Sequence, residues 1–240
     1  MPIIFNAADV SADMSKHYQN EVKKYTLDIQ KNPNDYDAYI HRAFAYKMIH
    51  NYEKAIQDYR RAIKINPKKH EAYEELANLF CEDIKQYEFA IEYYTKAIRA
   101  VNDEPEIIQG DKKSSLSVLY SSRGLCYGII GQYDKEIEDY SKCIKLDSYD
   151  HDMYIKRGSV YFELAKYNQA FNDFDKAVKV INAIRKEIFD KHGDILPTLE
   201  YKLGRAHYAR GFAYQKLGNM TSAQADFARA KELGYNANNN

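Results

Sequence analysis

The stretch of the chain that decides the fold reads YDAYIHRAFAYKMIHNYEKAIQDYRRAIKINPKK, at residues 36–69. Tyr, Phe and Ala recur in it at spacings of three, four and seven residues, and Pro67 stands near its end. These spacings place the aromatic and small side chains on one stripe of a helix. Small residues let two helices approach closely while the rings fill the remaining space, so the stretch predicts a pair of packed helices.

The same offsets occur five times along the chain, and one residue is inserted before Tyr87 in the second copy. Recurrence of a unit of about 34 residues is typical of a stacked array of helical hairpins. The five sets are Ala43, Tyr46, Tyr52, Ala55, Tyr59 and Ala62; Ala77, Phe80, Tyr87, Ala90, Tyr94 and Ala97; Gly124, Tyr127, Tyr133, Glu136, Tyr140 and Cys143; Gly158, Tyr161, Tyr167, Ala170, Phe174 and Ala177; and Gly211, Tyr214, Met220, Ala223, Phe227 and Ala230.

This pattern resembles that of the tetratricopeptide repeat (TPR) family. The resemblance implies an all-α fold, an α-solenoid that forms a right-handed superhelix of five TPR helical hairpins with an N-terminal capping helix. It also implies a protein that holds other proteins or peptides. The family's first-helix aromatic is present at Tyr39, Tyr73, Tyr120, Tyr154 and, less well, at His207. The repeats implied are 36–69, 70–104, 117–150, 151–184 and 204–237.

The chain divides by sequence into an N-terminal arm with a capping helix (1–35), the TPR domain (36–237) and a disordered tail (238–240). The capping helix is expected at about residues 15–31, because the spacing of its apolar residues matches a second helix that leads into the first repeat. An irregular arm is expected at residues 1–14. In the last repeat, polar residues replace those that would face a further repeat, as in the terminal caps of solenoids.

Two insertions, 105–116 and 185–203, interrupt the period. An apolar stripe continues into the second insertion as far as Ile188, so the helix there should be longer than the others until Gly193 ends it. Pro197 suits the first turn of the next helix. The sequence leaves open whether the insertions bind a partner, cover the groove or reflect drift in length.

Composition limits the classes of function. Lys+Arg and Asp+Glu both total 35 in 240 residues, so the formal net charge is zero. Nucleic-acid binders normally carry a basic excess, and no apolar run is long enough to span a membrane. Three cysteines and no secretory signal favour a reducing, cytoplasmic location.

Four repeats carry Arg before the first-helix small residue and Asp before the second-helix aromatic, whereas the second repeat has Leu76 and Tyr93 there. We interpret each pair as a two-pronged bridge between the two helices of a hairpin. Glu136 stands where other repeats have a small residue, and either a bridge to Arg157 or Lys156 or a local distortion would explain it. The pairs are Arg42–Asp58, Arg123–Asp139, Arg157–Asp173 and Arg210–Asp226.

The sequence contains no recognisable catalytic motif, phosphate loop or metal-ligand spacing. Cys81, Cys126 and Cys143 are expected to be buried structural thiols. We therefore predict a protein that is not an enzyme and needs no metal or cofactor.

In the TPR family, first-helix residues that do not pack internally line the concave groove, so the resemblance implies a partner-binding set. An acidic patch lies beside apolar residues in this set, which favours a peptide with apolar anchors and some basic character. The predicted residues are Ile40, Phe44, Met48, Glu71, Glu74, Glu75, Asn78, Glu82, Leu125, Ile129, Ile155, Phe162, Tyr208 and Phe212.

Some family members grip the C-terminal carboxylate of a chaperone with Lys, Asn and Arg. The corresponding positions here are Ile40, Phe44, Glu75, Val118 and Ser122, so such a partner is not expected. The leading hypothesis is an interaction scaffold or adaptor. A specialised chaperone for secretion or complex assembly and, with less support, an RNA-binding helical-repeat protein are the alternatives. Cover of the groove by the insertions or by self-association also stays open.

Overall fold

The computed structural model describes residues 7–103, 109–194 and 196–235, without the side chains of residues 7–12 and 109. Within these ranges the chain forms eleven α-helices, one π-helical turn and no strand. In chain order they are α1 (Ala7–Lys31), α2 (Tyr36–Met48), α3 (Tyr52–Ile65), α4 (Glu71–Asn78), the π-turn (Leu79–Ile84), α5 (Tyr87–Asp103), α6 (Gln109–Ile129), α7 (Tyr133–Leu146), α8 (His151–Glu163), α9 (Tyr167–His192), α10 (Pro197–Lys216) and α11 (Met220–Glu232).

The helices belong to two compact units, Met1–Ile130 and Gly131–Asn240. Unit 1 contains α1 to α6, and unit 2 contains α7 to α11. Within each unit, helices that follow one another along the chain pack side by side. The predicted all-α fold of repeated helical hairpins is confirmed.

Where the two helices of the fourth and fifth hairpins cross, the ring of the second helix lies too close to the first helix for a residue larger than glycine. A Cβ atom added to Gly158 would lie 2.7 Å from Cε1 of Phe174, and one added to Gly211 would lie 2.7 Å from Cε1 of Phe227. Real Cβ atoms do not approach a ring so closely, because interiors are close-packed. The aromatic ring of the second helix therefore occupies the space that a larger first-helix residue would need.

The two helices of each hairpin are joined by a turn with one residue in the left-handed conformation. These residues are His50, Lys85, Gly131, Ala165 and Gly218, with φ values of 60°, 61°, 76°, 56° and 82°. This conformation closes the C-terminus of the first helix and favours glycine. Three of the five turns use another residue and carry the associated backbone strain.

The inserted residue of the second repeat is absorbed by the π-turn. In the first repeat, the N–H of Asn51 donates to the carbonyl of Tyr46 at 2.8 Å. The equivalent bond in the second repeat, from Gln86 to Phe80, is also 2.8 Å long but spans one more residue. A π-turn accommodates an extra residue inside a helix, and it changes the direction of the side chains within it.

The N-terminal end differs from the sequence-based expectation. Helix α1 begins at Ala7, so the prediction of an irregular arm is wrong for residues 7–14. This segment, AADVSADM, is rich in alanine, and extending an existing helix costs much less than nucleating one. The capping role itself is confirmed, because α1 packs on α2 and the ring of Tyr25 stacks on His41 at 5.1 Å.

The insertions are largely helical where the structure describes them. Residues 109–116 belong to the first turns of α6. Helix α9 continues to His192 and is capped by Gly193 with φ 78°, and α10 begins at Pro197, as predicted. The predicted disordered tail, residues 238–240, lies outside the described residues.

Three of the four predicted Arg–Asp bridges lie within a unit, and all three are formed. In the first, Arg42 donates from Nε to Oδ2 of Asp58 at 2.7 Å and from Nη2 to Oδ1 at 2.8 Å. The same two bonds join Arg157 to Asp173 and Arg210 to Asp226. Arg123 and Asp139 belong to different units, and their bridge stays a prediction.

Glu136 is buried and accepts a hydrogen bond from the hydroxyl of Tyr140, one turn further along α7. Arg157 directs its nitrogens to Asp173 and Ser141 instead, so the suggested bridge from Glu136 to Arg157 is wrong. Removal from water raises the pKa of the Glu136 carboxyl.

Candidate functional site

The first helices of unit 1 carry ten of the predicted partner-binding residues. Their apolar members on α2 and α6 include three that are exposed to solvent: Phe44 is 41% exposed, and Leu125 and Ile129 are 50% exposed. Ile40 and Met48 are half-buried. Of the polar members, Glu71 and Glu82 are exposed, and Glu74, Glu75 and Asn78 are half-buried.

Helix α1 covers part of this surface. The ring of Tyr18 meets that of Phe44 edge to face, with 6.0 Å between the centroids. Because Phe44 still exposes 41% of its surface, the chain's own capping helix leaves the residue accessible.

Two carboxylates of the π-turn and one of α4, Glu75, interact with a single lysine. Nζ of Lys47 lies 3.5 Å from Asp83 and 4.0 Å from Glu82. Burial raises the pKa of Glu75 despite the opposing attraction of Lys47, and burial also raises the pKa of Glu74. A single ammonium group thus faces several acids that are costly to keep ionised, so further cations would be favoured here.

A buried hydroxyl lies beneath the acids. Tyr59 is fully buried, its phenolic oxygen has no hydrogen-bond partner among the described residues, and the charges of Glu75 and Asp83 help to raise its pKa. The equivalent Tyr94 donates to Oδ1 of Asn78 at 2.7 Å. Tyr59 lacks this acceptor because Phe44 occupies the position of Asn78, directly after the small residue of the first helix.

Unit 2 contains an apolar cleft between α8 and α10, with a volume of about 270 Å³. It brings together three predicted residues, Phe162, Tyr208 and Phe212, of which Phe212 is 37% exposed. The cleft is lined by Ser159, Phe162, Glu163, Phe174, Tyr208, Ala209 and Phe212.

The prediction that Ile155 belongs to the partner-binding residues is corrected by the structure. It is only 7% exposed and packs in the hydrophobic core of unit 2. The longer α9 and the start of α10 build that core with Ile181, Leu199 and Leu203. Ile155 therefore offers little surface to a partner.

Charged groups at the N-terminal end of α8 are paired with charged residues of α10. Asp152 on α8 accepts from Arg205 and, at 3.3 Å, from Lys202, both on α10. Together with His151 these cations hold the pKa of Asp152 well below its usual range. The pairing joins α8 to α10 and neutralises this part of the face.

Several residues of these surfaces were missed by the sequence reasoning. Asp83 lies closer to Lys47 than Glu82 does, although the family resemblance had implied Glu82. The π-turn changes the helical phase within this segment. The residue inserted before Tyr87 was the only available signal. Glu163 and Ala209 line the cleft at positions that helical periodicity did not distinguish from ordinary surface.

In the described part of the chain, no three His, Cys, Asp or Glu side chains converge as a metal site would require. None of the helices described combines the length and the apolar character needed to cross a membrane.

Comparison with known families agrees with this geometry. Profiles described as Tetratricopeptide repeat match residues 36–69, 118–150, 151–183 and 204–233, which together make up more than half of the chain. The chain belongs to the tetratricopeptide repeat family. TPR proteins are built from the helical hairpins described above and generally bind other proteins or peptides.

Two curated relatives align with less than half of the chain. The small glutamine-rich tetratricopeptide repeat-containing protein 2 of Mycosarcoma maydis is 32% identical over 109 residues, 45% of this chain and 30% of the relative. The Hsp70-Hsp90 organizing protein 3 of Arabidopsis thaliana is 26% identical over 107 residues, 45% of this chain and 19% of the relative. The aligned segment thus spans less than a third of either relative.

A solved TPR structure shows the same fold. YrrB, described as a TPR protein with an unusual peptide-binding site, superposes with a TM-score of 0.60 at 18% identity. The match covers 87% of this chain and 91% of YrrB.

Proposed function

We propose that this TPR protein is a non-catalytic scaffold or adaptor that binds a segment of a partner protein on its first-helix faces. The observation that supports this most is the solvent exposure of Phe44, Leu125 and Ile129, three large apolar side chains on the first helices of unit 1. Exposed apolar side chains grouped beside polar ones are typical of interaction surfaces.

The partner segment has apolar anchors and basic side chains. Glu74 and Glu75 have raised pKa values because burial disfavours their charged forms. A Lys or Arg of the partner would stabilise the ionised carboxylates next to Lys47, and an apolar side chain would cover Phe44.

The cleft of unit 2 is suited to one apolar side chain of the partner segment. Its volume of about 270 Å³ lies just below the range for small-molecule sites, roughly 300–1,000 Å³. One aromatic or branched aliphatic side chain would pack against Phe162 and Phe212.

A chaperone carboxylate tail is not the proposed partner, although one relative is an Hsp70-Hsp90 organizing protein. Ile40 and Phe44 provide no cation for such a tail, and Glu75 would repel it. The cytoplasmic location inferred from the sequence also stays a prediction.

Peptide selection on the full-length protein tests this function. A displayed library of random peptides should yield binders enriched in Lys or Arg together with Phe, Leu or Ile. Fluorescence polarisation of a selected peptide should weaken at least tenfold with the double variant Phe44→Glu/Leu125→Glu, and should weaken as salt is raised.

A charge-reversal variant provides the second test of the proposed function. The double variant Glu75→Lys/Glu82→Lys should reject the basic peptides and select acidic ones. The control is Tyr149→Glu, which changes an exposed residue in the turn before α8 and should leave the selected peptides and their affinity unchanged. Unchanged affinity in all folded variants, or selective binding of single-stranded RNA instead of peptides, would contradict the assignment.

A further inference from the structure

Two buried thiols meet inside unit 1. Cys81 lies in the π-turn and Cys126 lies in α6, and the distance between their Sγ atoms is 3.2 Å. Cys81 is 7% exposed, whereas Cys126 is not exposed at all. An oxidant arriving from solvent would therefore reach Cys81 first.

The repeat pattern explains why these residues meet. Cys126 occupies the position of Ala45 in the first repeat, a small buried residue. Cys81 corresponds to Lys47, which carries a charge on the first-helix face of the same unit. The π-turn changes the direction of the side chains within it. As a result, Cys81 of the second repeat contacts Cys126 of the third.

The two sulfur atoms have different roles. The thiol of Cys126 donates a hydrogen bond to Sγ of Cys81, and this bond lowers the pKa of Cys81 to about 7, against the opposing effect of burial. The cation of Lys85 acts in the same direction, and the charge of Glu82 opposes it. The neighbouring Cys81 and burial raise the pKa of Cys126. Cys81 is thus the better nucleophile, because the thiolate is the reactive form.

We propose that Cys81 and Cys126 form an oxidation site that closes to an intramolecular disulfide when the protein meets a hydroperoxide. The geometry favours closure, since the sulfur atoms need to approach by only about 1 Å to reach the disulfide bond length of about 2.05 Å. No contact on the first-helix faces is required, so this inference is independent of the proposed function.

The reaction proceeds in two steps. The Cys81 thiolate attacks one peroxide oxygen, an S–O bond forms, the O–O bond breaks, and the departing oxygen takes up a proton to leave as water or an alcohol. Cys126 then loses its proton and attacks the sulfenic sulfur of Cys81, the S–S bond forms, and the hydroxyl leaves with a proton as water. The two thiols lose two electrons, and these reduce the peroxide.

Peptide mapping tests the reaction on the full chain. Trypsin places Cys81 on residues 70–85, Cys126 on residues 124–135 and Cys143 on residues 143–145. After hydrogen peroxide, denaturation and alkylation, we expect peptides 70–85 and 124–135 to be joined, with one alkylated thiol per chain instead of three. Dithiothreitol should restore all three.

Single variants separate the steps. Cys126→Ala should stop the reaction at a sulfenic acid on peptide 70–85, which the 1,3-dicarbonyl probe dimedone labels. Cys81→Ala should leave peptide 124–135 alkylated after peroxide, and Cys143→Ala should retain the joined pair. Wild-type protein in which both peptides remain alkylated at peroxide doses that oxidise free glutathione, or in which only intermolecular disulfides form, would overturn the assignment.

Discussion

Arg157 donates a hydrogen bond from Nη1 to the hydroxyl of Ser141 at 2.8 Å, from the first helix of one repeat to the second helix of the repeat before it. Ser141 in turn donates to the carbonyl of Ile137 at 2.6 Å, so both functions of its hydroxyl are used. The other Arg residues of this position do the same: Arg42 bonds Thr26, Arg123 bonds Thr95 and Arg210 bonds Asp175. Each guanidinium thus joins its own repeat to the helix that precedes it, which is α1 for Arg42 and the second helix of the preceding repeat for the others.

The second repeat departs from this pattern at all three positions. It has Leu76 in place of the Arg, and Arg60 stands where the preceding helix would provide the acceptor. Nε of Arg60 lies 3.4 Å from the hydroxyl of Tyr93, the residue that replaces Asp. Donor, acceptor and bridging acid have therefore changed together.

Removing the acceptor should weaken the packing between repeats. Ser141→Ala eliminates a hydrogen bond to a charged donor, worth about 1.5–3 kcal/mol, while the better helix propensity of Ala returns about 0.5 kcal/mol. We expect urea unfolding to show a loss of about 1–2.5 kcal/mol. The matched control is Ser159→Ala on α8, whose hydroxyl bonds only the carbonyl of Ile155 and which should lose nothing. Equal effects of the two substitutions would argue against the bridging role of Ser141.

Removing the acid of a bridge should cost more. Asp173 is buried, and Asp173→Ala would leave the guanidinium of Arg157 without its two-pronged partner. We expect a loss of roughly 3–5 kcal/mol in the free energy of unfolding, the range for breaking a buried pair. Glu232→Ala, which removes the exposed pair with Arg229, should cost at most about 1 kcal/mol and serves as the comparison.

A substitution in the hairpin turn of the fourth repeat should stabilise the protein. Ala165 has φ 56°, a conformation that costs a residue with a Cβ about 1–2 kcal/mol relative to glycine. Ala165→Gly should therefore raise the melting temperature, with a gain of about 0.5–1 kcal/mol after the larger entropy of the unfolded chain is included.

The reverse change in the fifth repeat is the control for that turn. Gly218 has φ 82°, and an added Cβ would have no neighbour within 4 Å, so Gly218→Ala tests the backbone alone. It should lower the melting temperature. Melting temperatures that move in the same direction for both variants would show that contacts, not backbone strain, decide the effect.

Glu136 should make stability depend on pH. Burial raises its pKa above the ordinary 4.5, so the folded state binds the proton more tightly than the unfolded state. Ionisation of Glu136 therefore opposes folding above the folded pKa, and this loss is recovered as the pH falls toward 4.5. We expect Glu136→Gln to be more stable than the parent at pH 7.

The pH profile of that difference is the decisive measurement. The advantage of Glu136→Gln over the parent should shrink as the pH is lowered through the folded pKa and vanish near the unfolded value, where the parent carries the proton as well. Denaturant unfolding of both proteins across this range measures it. A difference that does not vary with pH would instead indicate a change in packing.

Much of the architecture could be predicted from the sequence because the determining interactions are local and repeated. The spacing of Ala43, Tyr46 and Tyr59 fixes which faces of two adjacent helices meet, and the same spacing returns in each repeat. The Arg42–Asp58 bridge, the Gly193 stop and the Pro197 start are likewise matters of a few residues on one or two helices, and all three are present.

Tertiary structure decided the features that depend on which neighbour a side chain meets. The family resemblance implied that Ile155 lies on an open face, yet the extension of α9 and the start of α10 bury it. The sequence revealed an inserted residue before Tyr87, but only the folded chain converts it to a π-turn that brings Asp83 to Lys47 and Cys81 to Cys126. Repetition along the chain determines a hairpin by itself, whereas contacts between hairpins depend on the helical phase, which one extra residue is enough to change.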